Sequence, residues 1–268
     1  MKKIAIQGIK GCFHHISLIK FFGVNCYEIV ECKSFKKLSH AVTNGEANLV
    51  IMAIENSIIG SLLSNYIFLS NHTLKILGSI SLYIDQHLMA FTGKEINEIL
   101  SHPIALQQCA DFISEYPHLR TIEYSDTAQA SLYIYKNRLK KKASIASIQA
   151  AKEYGLDIIY KNIQSIYNNF TRFLIVETSP RKIKENCDKS SILFSLYTNF
   201  HNSVFNTIAE KKINITKIQS FMDRTGEYVF YIDLIIDDYM GYEQMKSKIK
   251  NLSHTFYILG EYMNFIFL

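Results

Sequence analysis

Arginine is scarce in this 268-residue chain: among 29 lysines and arginines, only Arg120, Arg138, Arg172, Arg181 and Arg224 carry a guanidinium. Each planar fork suits a carboxylate, and Arg172 precedes Phe173 and Leu174 on a run that reads as a buried strand. Thr171 beside it brings a hydroxyl, which can donate a hydrogen bond but is a poor proton donor. Glu55-Asn56-Ser57 closes another apolar run, where Asn56 or Ser57 would cap the following helix. Ser101-His102 precedes Pro103, which suits the first turn of a helix whose free N–H groups could receive a carboxylate, and Asp126-Thr127 reads as a further helix cap. Gly8 and Gly11 are a weak phosphate-loop signal that a tight strand-to-helix turn explains. The chemistry these residues offer is holding an anion and donating hydrogen bonds.

Composition narrows the classes around them. The chain is 48% hydrophobic and 20% charged, enough to bury a core, and its length suits one large domain with a small partner. Cys12, Cys26, Cys32, Cys109 and Cys187 are odd in number and form no CxxC, which argues against a disulfide framework or zinc ribbon and predicts reduced thiols. No apolar run approaches the ~20 residues of a membrane helix, and the start shows no secretory stretch, so a cytoplasmic protein with no membrane partner is expected. The net charge of +5 comes from scattered lysines apart from Lys140-Lys141-Lys142, which reads as a solvated helix end, so no nucleic-acid partner is expected. Mild positive charge would draw small dianions towards a cleft.

The elements that must position these groups follow from periodicity. Strands over 3–7, 25–30 and 48–54 alternate with helices over 14–22, 35–42 and 61–69, a βαβαβ start that predicts a parallel sheet with ligands beyond its carboxyl ends. Strands then follow at 77–84, 88–91 and 98–100. One helix is predicted from Pro103 to about Glu115 and another over 127–135. A strand at 143–147 leads into a helix ending near Gly155, followed by strands at 156–160 and 171–177. Residues 179–188, SPRKIKENCD, are polar and without period and read as a linker. Beyond it, strand 190–197, helix 203–211, strands 214–221 and 227–235, helix 242–252 and strand 255–262 give the ferredoxin-like order βαββαβ.

Six strings, in order, carry a resemblance: QGIKGCFHH (7–15), AIENSIIGS (53–61), SHPIALQQC (101–109), SDTAQAS (125–131), ASIASIQAAKEYGL (143–156) and NNFTRF (168–173). Together they resemble the prephenate dehydratase family. The tail, with TKIQS (216–220) and EYVFYIDL (227–234), is similar to the ACT regulatory domain that follows the catalytic domain in that family. The resemblance implies an α/β fold: a two-lobed, periplasmic-binding-protein-like catalytic domain over 1–178, the linker over 179–188, and the ACT domain over 189–268. It implies conversion of prephenate to phenylpyruvate, with loss of CO2 and the ring hydroxyl and no metal or cofactor.

The resemblance also distributes roles. Thr171, Glu55, Asn56 and Gln108 are the expected catalytic residues, with Thr171 stabilising the departing hydroxyl. Arg172, Phe173, Ser57, Ser101, His102 and Thr127 are expected to bind substrate, Arg172 on the pyruvyl carboxylate. Where the family often has Gln, and Thr and Ser, this chain has Ile104, and Cys12 and His14. Asn202, Ser203, Val204, Gln219 and Ser220 occupy the phenylalanine-binding positions, but Asn202 and Met222 replace the family's glycine and proline, so weak or absent phenylalanine inhibition is expected. A homodimer or homotetramer is expected through the tail. Two other functions stay open: an arogenate dehydratase, and a non-catalytic two-lobed small-molecule binding protein fused to an amino-acid sensor, which would keep Arg172 but has no need of Thr171.

Overall fold

The structure is a computed structural model that describes residues 2–24, 27–70, 74–93, 95–178, 187–196, 201–223 and 226–267. The first sheet begins with β1 (Lys2–Gln7), α1 (Phe13–Phe22), β2 (Tyr27–Cys32), α2 (Phe35–Thr43) and β3 (Leu49–Asn56), with β1 parallel to both β2 and β3. β3 is almost wholly buried, as expected of an apolar run covered on both faces. The chain turns through β4 (Gly60–Ser61) into α3 (Leu63–Leu69) and returns as β5 (Lys75–Tyr83).

The second sheet is built from β6 (His87–Ala90), β7 (Glu98–Ser101), β8 (Arg120–Glu123), β9 (Lys142–Ala146) and β10 (Asp157–Tyr160), in the order β10-β6-β9-β7-β8. Its helices are α4 (Pro103–Gln108), α5 (Ala110–Ser114), α6 (Thr127–Lys136) and α7 (Ile148–Tyr154). The chain then goes back to the first sheet as β11 (Phe170–Glu177), antiparallel to both β3 and β5. Two connections therefore link the sheets, 84–86 and 161–169, and they run together: the Ile84 N–H donates to the Asn169 carbonyl at 2.9 Å.

The remaining elements are β12 (Lys189–Leu196), α8 (His201–Glu210), β13 (Ile215–Met222), β14 (Tyr228–Ile235), α9 (Tyr239–Leu252) and β15 (Ser253–Phe267). Their antiparallel order β13-β14-β12-β15 is ferredoxin-like. β15 is far longer than the expected strand at 255–262, because it passes beyond Tyr262. Met263 to Phe267 then pair in parallel with Gly78 to Leu82 of β5. One sheet thus runs from β13 to β2.

Two other expectations change, and one strand was not foreseen. The helix expected over 103–115 divides at Cys109, whose φ of −110° and ψ of 20° are not helical. β8 is a four-residue strand too short to show a period. Neither Asn56 nor Ser57 caps α3, whose N-cap is Leu62. Pro103 does stand in the first turn of α4, and Gly155 ends α7 at φ 60°. Of the expected linker, residues 179–186 lie outside the described residues, as do Arg181 and Arg224, and Asn25 where β2 was expected to start. No described helix is long and apolar enough to cross a membrane.

Candidate active site

A cleft of about 230 Å3 opens between the two sheets, lined from the carboxyl ends of β1, β3, β7 and β8 and from β11. Of the expected site residues, Asn56, His102, Gln108, Thr127, Thr171 and Phe173 meet there. Thr171 is 9% exposed and Asn56 8%. The Asn56 Nδ2 amide donates to Thr171 Oγ1 at 2.9 Å and to Asn169 Oδ1 at 2.7 Å. Its Oδ1 accepts from the N–H groups of Ile58 and Ile59, both at 3.0 Å, so the turn after β3 fixes the amide. Since Thr171 Oγ1 is an acceptor towards Asn56, its own proton remains available for the cleft.

Adjacent residues of a strand point to opposite faces, and this removes Arg172 and Glu55 from the cleft. The side chain of Arg172 is 5% exposed and lies against the C-terminal sheet, ion-paired with Asp233 and at 3.3 Å from Glu55 Oε1, with Nη2 donating to the Tyr262 hydroxyl at 2.9 Å. Burial disfavours the Arg172 charge, but the Asp233 carboxylate outweighs it and raises the guanidinium pKa. Burial likewise works against the Asp233 carboxylate, and Arg172 more than compensates, holding its pKa below the ordinary value. Glu55 Oε2 meets Lys217 of β13 at 2.7 Å. Expected as catalytic and substrate-binding groups, Glu55 and Arg172 instead form the junction with the C-terminal sheet.

Ser101 and Ser57 are also structural. Ser101 is fully buried and donates to the Ile145 carbonyl at 2.6 Å, while Ser57 ties the turn after β3 to β11 by donating to the Asn168 carbonyl and accepting from the Phe170 N–H. Neither lines the cleft. His102 does: its Nδ1 accepts from the Ile104 N–H at 3.2 Å, so the proton of the neutral ring is on Nε2. Asp126 caps α6 by accepting from the Gln129 N–H at 3.0 Å and also lines the cleft, where burial raises its pKa. It is the one Asp, Glu, Lys or Arg among the described lining residues.

The sequence departures at Cys12 and His14 face the cleft too. Burial pushes the Cys12 thiol up, which keeps it protonated. His14 packs edge-on against Phe173, its Nε2 accepts from the Ala53 N–H at 3.3 Å, and burial pushes its pKa down to about 4. Gln86, to which the sequence drew no attention because it stands in a connection without period, also lines the cleft.

Gly11 joins the two halves behind the site. It sits at φ +91°, an added Cβ would lie 2.8 Å from the Ala150 Cα, and its carbonyl accepts from Ser147 Oγ at 2.5 Å. Gly11→Ala should cost about 1–3 kcal/mol for the strained backbone and raise KM, read by thermal melting and steady-state kinetics. An unchanged melting temperature would overturn the assigned strain.

The model of the family described as "Prephenate dehydratase" matches residues 4–181. The chain belongs to the prephenate dehydratase family. A bifunctional chorismate mutase/prephenate dehydratase of Buchnera aphidicola from Acyrthosiphon pisum is 30% identical over 95% of this chain and 69% of its own length. An Arabidopsis thaliana protein named arogenate dehydratase/prephenate dehydratase 2 is 33% identical over 97% of this chain and 72% of its own. A solved prephenate dehydratase from Arthrobacter aurescens, in complex with L-Phe, shares the fold with a TM-score of 0.85 at 23% identity, over 97% of this chain and 89% of that one. As a prephenate dehydratase family member the chain is a lyase of the dehydrating and decarboxylating type.

Proposed function

We propose that this cleft converts prephenate to phenylpyruvate, and that Thr171 assists the departing hydroxyl. The observation that carries the reading is the hydrogen bond from Asn56 to Thr171 in the cleft wall, which leaves the threonine free to donate its own proton. The C–CO2 bond breaks, its electron pair enters the ring, the C–O bond breaks, and hydroxide takes a solvent proton to give water. Rearomatisation drives the reaction, so positioning and donors suffice. Phe13, Ala53, Ile59, Leu62, Ile84, Ile104 and Phe173 form apolar walls. Such walls disfavour the localised ring carboxylate more than a transition state in which that charge disperses. With no Lys or Arg among the described lining residues, the pyruvyl carboxylate falls to the side-chain donors Gln108 Nε2, Thr127 Oγ1 and His102 Nε2.

Asp126 favours a second reading, arogenate, because a carboxylate in the cleft suits the ammonium that arogenate bears in place of the keto group. Assay of the purified protein with both compounds, following phenylpyruvate and phenylalanine, tests the two. Turnover of neither would leave a two-lobed binding protein.

The division at 178 and 189, an ACT-type regulatory role for the tail, a homodimer or homotetramer, and a cytoplasmic location belong to the same proposal. Exposed Ile218, Met222 and Tyr228 near the edge strand β13 support assembly. Of the expected phenylalanine contacts, Asn202 and Ser220 are exposed and Ser203 is half-buried, Gln219 donates to the Ser220 carbonyl at 2.9 Å, and Val204 is fully buried in the C-terminal core. Titration of activity with L-phenylalanine should show weak or no inhibition, with sensitivity gained on Asn202→Gly with Met222→Pro. Strong cooperative inhibition of the unaltered protein would refute this.

A further inference from the structure

Gln86 is 2% exposed, lines the cleft, and its Oε1 has no hydrogen-bond partner among the described residues. Buried acceptors are almost always satisfied, and an exception beside a cleft asks for a partner. Everything else about Gln86 is fixed. Its backbone N–H donates to Gln164 Oε1 at 2.9 Å, its carbonyl accepts from the Ile163 N–H at 2.9 Å, and Gln164 is held in turn by Asp85 at 2.9 Å. The side-chain Nε2 donates to Gln108 Oε1 at 3.4 Å, which leaves the Gln108 Nε2 as a donor and Gln86 Oε1 as an unpaired acceptor buried in the wall of the cleft that both residues line. Thr171 pairs with Leu82 in β5, and the Ile84 N–H is bonded to the Asn169 carbonyl, so the Gln86 connection and the Thr171 strand lie side by side.

From this pairing of a free donor proton on Thr171 with an orphan acceptor on Gln86, we infer that Gln86 is a substrate-contacting residue that accepts the proton of the ring hydroxyl. Resting on the dehydratase reading, the assignment deepens it. Thr171 donates to the hydroxyl oxygen while Gln86 Oε1 holds the hydroxyl hydrogen, which turns an oxygen lone pair towards Thr171 before the C–O bond breaks. The product, phenylpyruvate, has no such hydroxyl and does not use the contact.

Gln86→Met keeps the volume and removes the acceptor. Its kcat/KM for prephenate should fall about 10-fold, chiefly through KM, the effect of one lost hydrogen bond to bound substrate. The competitive inhibition constant of phenylpyruvate should stay within about two-fold. An equal rise in both constants, or no change in either, overturns the assignment. A second measurement does not depend on the folding of that variant. In Thr171→Ala protein, which lacks the other hydroxyl contact, an unreactive ring-saturated prephenate analogue should bind about 10-fold more tightly than its deoxy counterpart, and equal affinities overturn the assignment. Absence of turnover by the unaltered protein would overturn the dehydratase reading and this inference together.

Discussion

Replacing Thr171 by alanine should lower kcat by roughly 10²- to 10⁴-fold, the range for removing one positioned donor at a developing charge. Folding should be intact, because the residue lost is small and the Asn56 amide keeps its bonds to Asn169 Oδ1 and the Phe170 carbonyl. KM should move far less than kcat, since the hydrogen bond already made to the bound hydroxyl strengthens as the C–O bond breaks. Stopped-time assay of phenylpyruvate, with circular dichroism as the fold control, reads both quantities. A Thr171→Ala protein turning over within a factor of a few of the unaltered one would remove Thr171 from the mechanism.

Arg172→Ala should act on stability. The guanidinium lies between the Glu55 and Asp233 carboxylates, and Asp233 is fully buried, with Oδ1 also accepting from Ser191 and from the Tyr231 hydroxyl. Removing one partner of such a pair leaves an uncompensated buried charge and costs about 3–5 kcal/mol. Urea denaturation should show that loss, and Arg172→Met with Asp233→Leu should recover most of it, because apolar partners of similar volume avoid the desolvation cost. A raised KM at unchanged stability would return Arg172 to substrate binding. The sign of the acid response follows from the depressed Asp233 pKa. Its contribution is complete above the unfolded carboxyl value of about 4 and is lost as pH falls through the lower folded value.

The contrast between Thr171 and Arg172 shows how far the sequence could be read. Both stand in NNFTRF, and motif matching assigned both to the cleft, whereas the two-residue period of a strand sends them to opposite faces. The same period separates Glu55 from Asn56. That signal was present in the order of residues, and it needed only one member of each pair to be oriented. The strand and helix alternation up to Leu69 and the ferredoxin-like order of the tail were legible because their apolar runs are long. Gln86 was not, because nothing local distinguishes a glutamine in a connection until a neighbouring strand leaves its acceptor unpaired. The pairing of β15 with β5 was hidden for a related reason: it depends on two segments whose partners lie far apart in the chain.

That pairing sets an order of assembly. Ser79 of β5 bonds through its hydroxyl to the Asn264 amide of β15, 185 residues later, so β5 leaves the ribosome long before the strand that covers its outer edge. During that interval β5 presents unpaired N–H and C=O groups, a template for pairing with another nascent chain. Residues such as Ile80 and Leu82, fully or nearly fully buried in the finished protein, sit on the same strand. The half of the molecule that carries Thr171 therefore completes its sheet only when β15 arrives, so closure of the catalytic sheet depends on a non-local pairing of the kind that forms slowly.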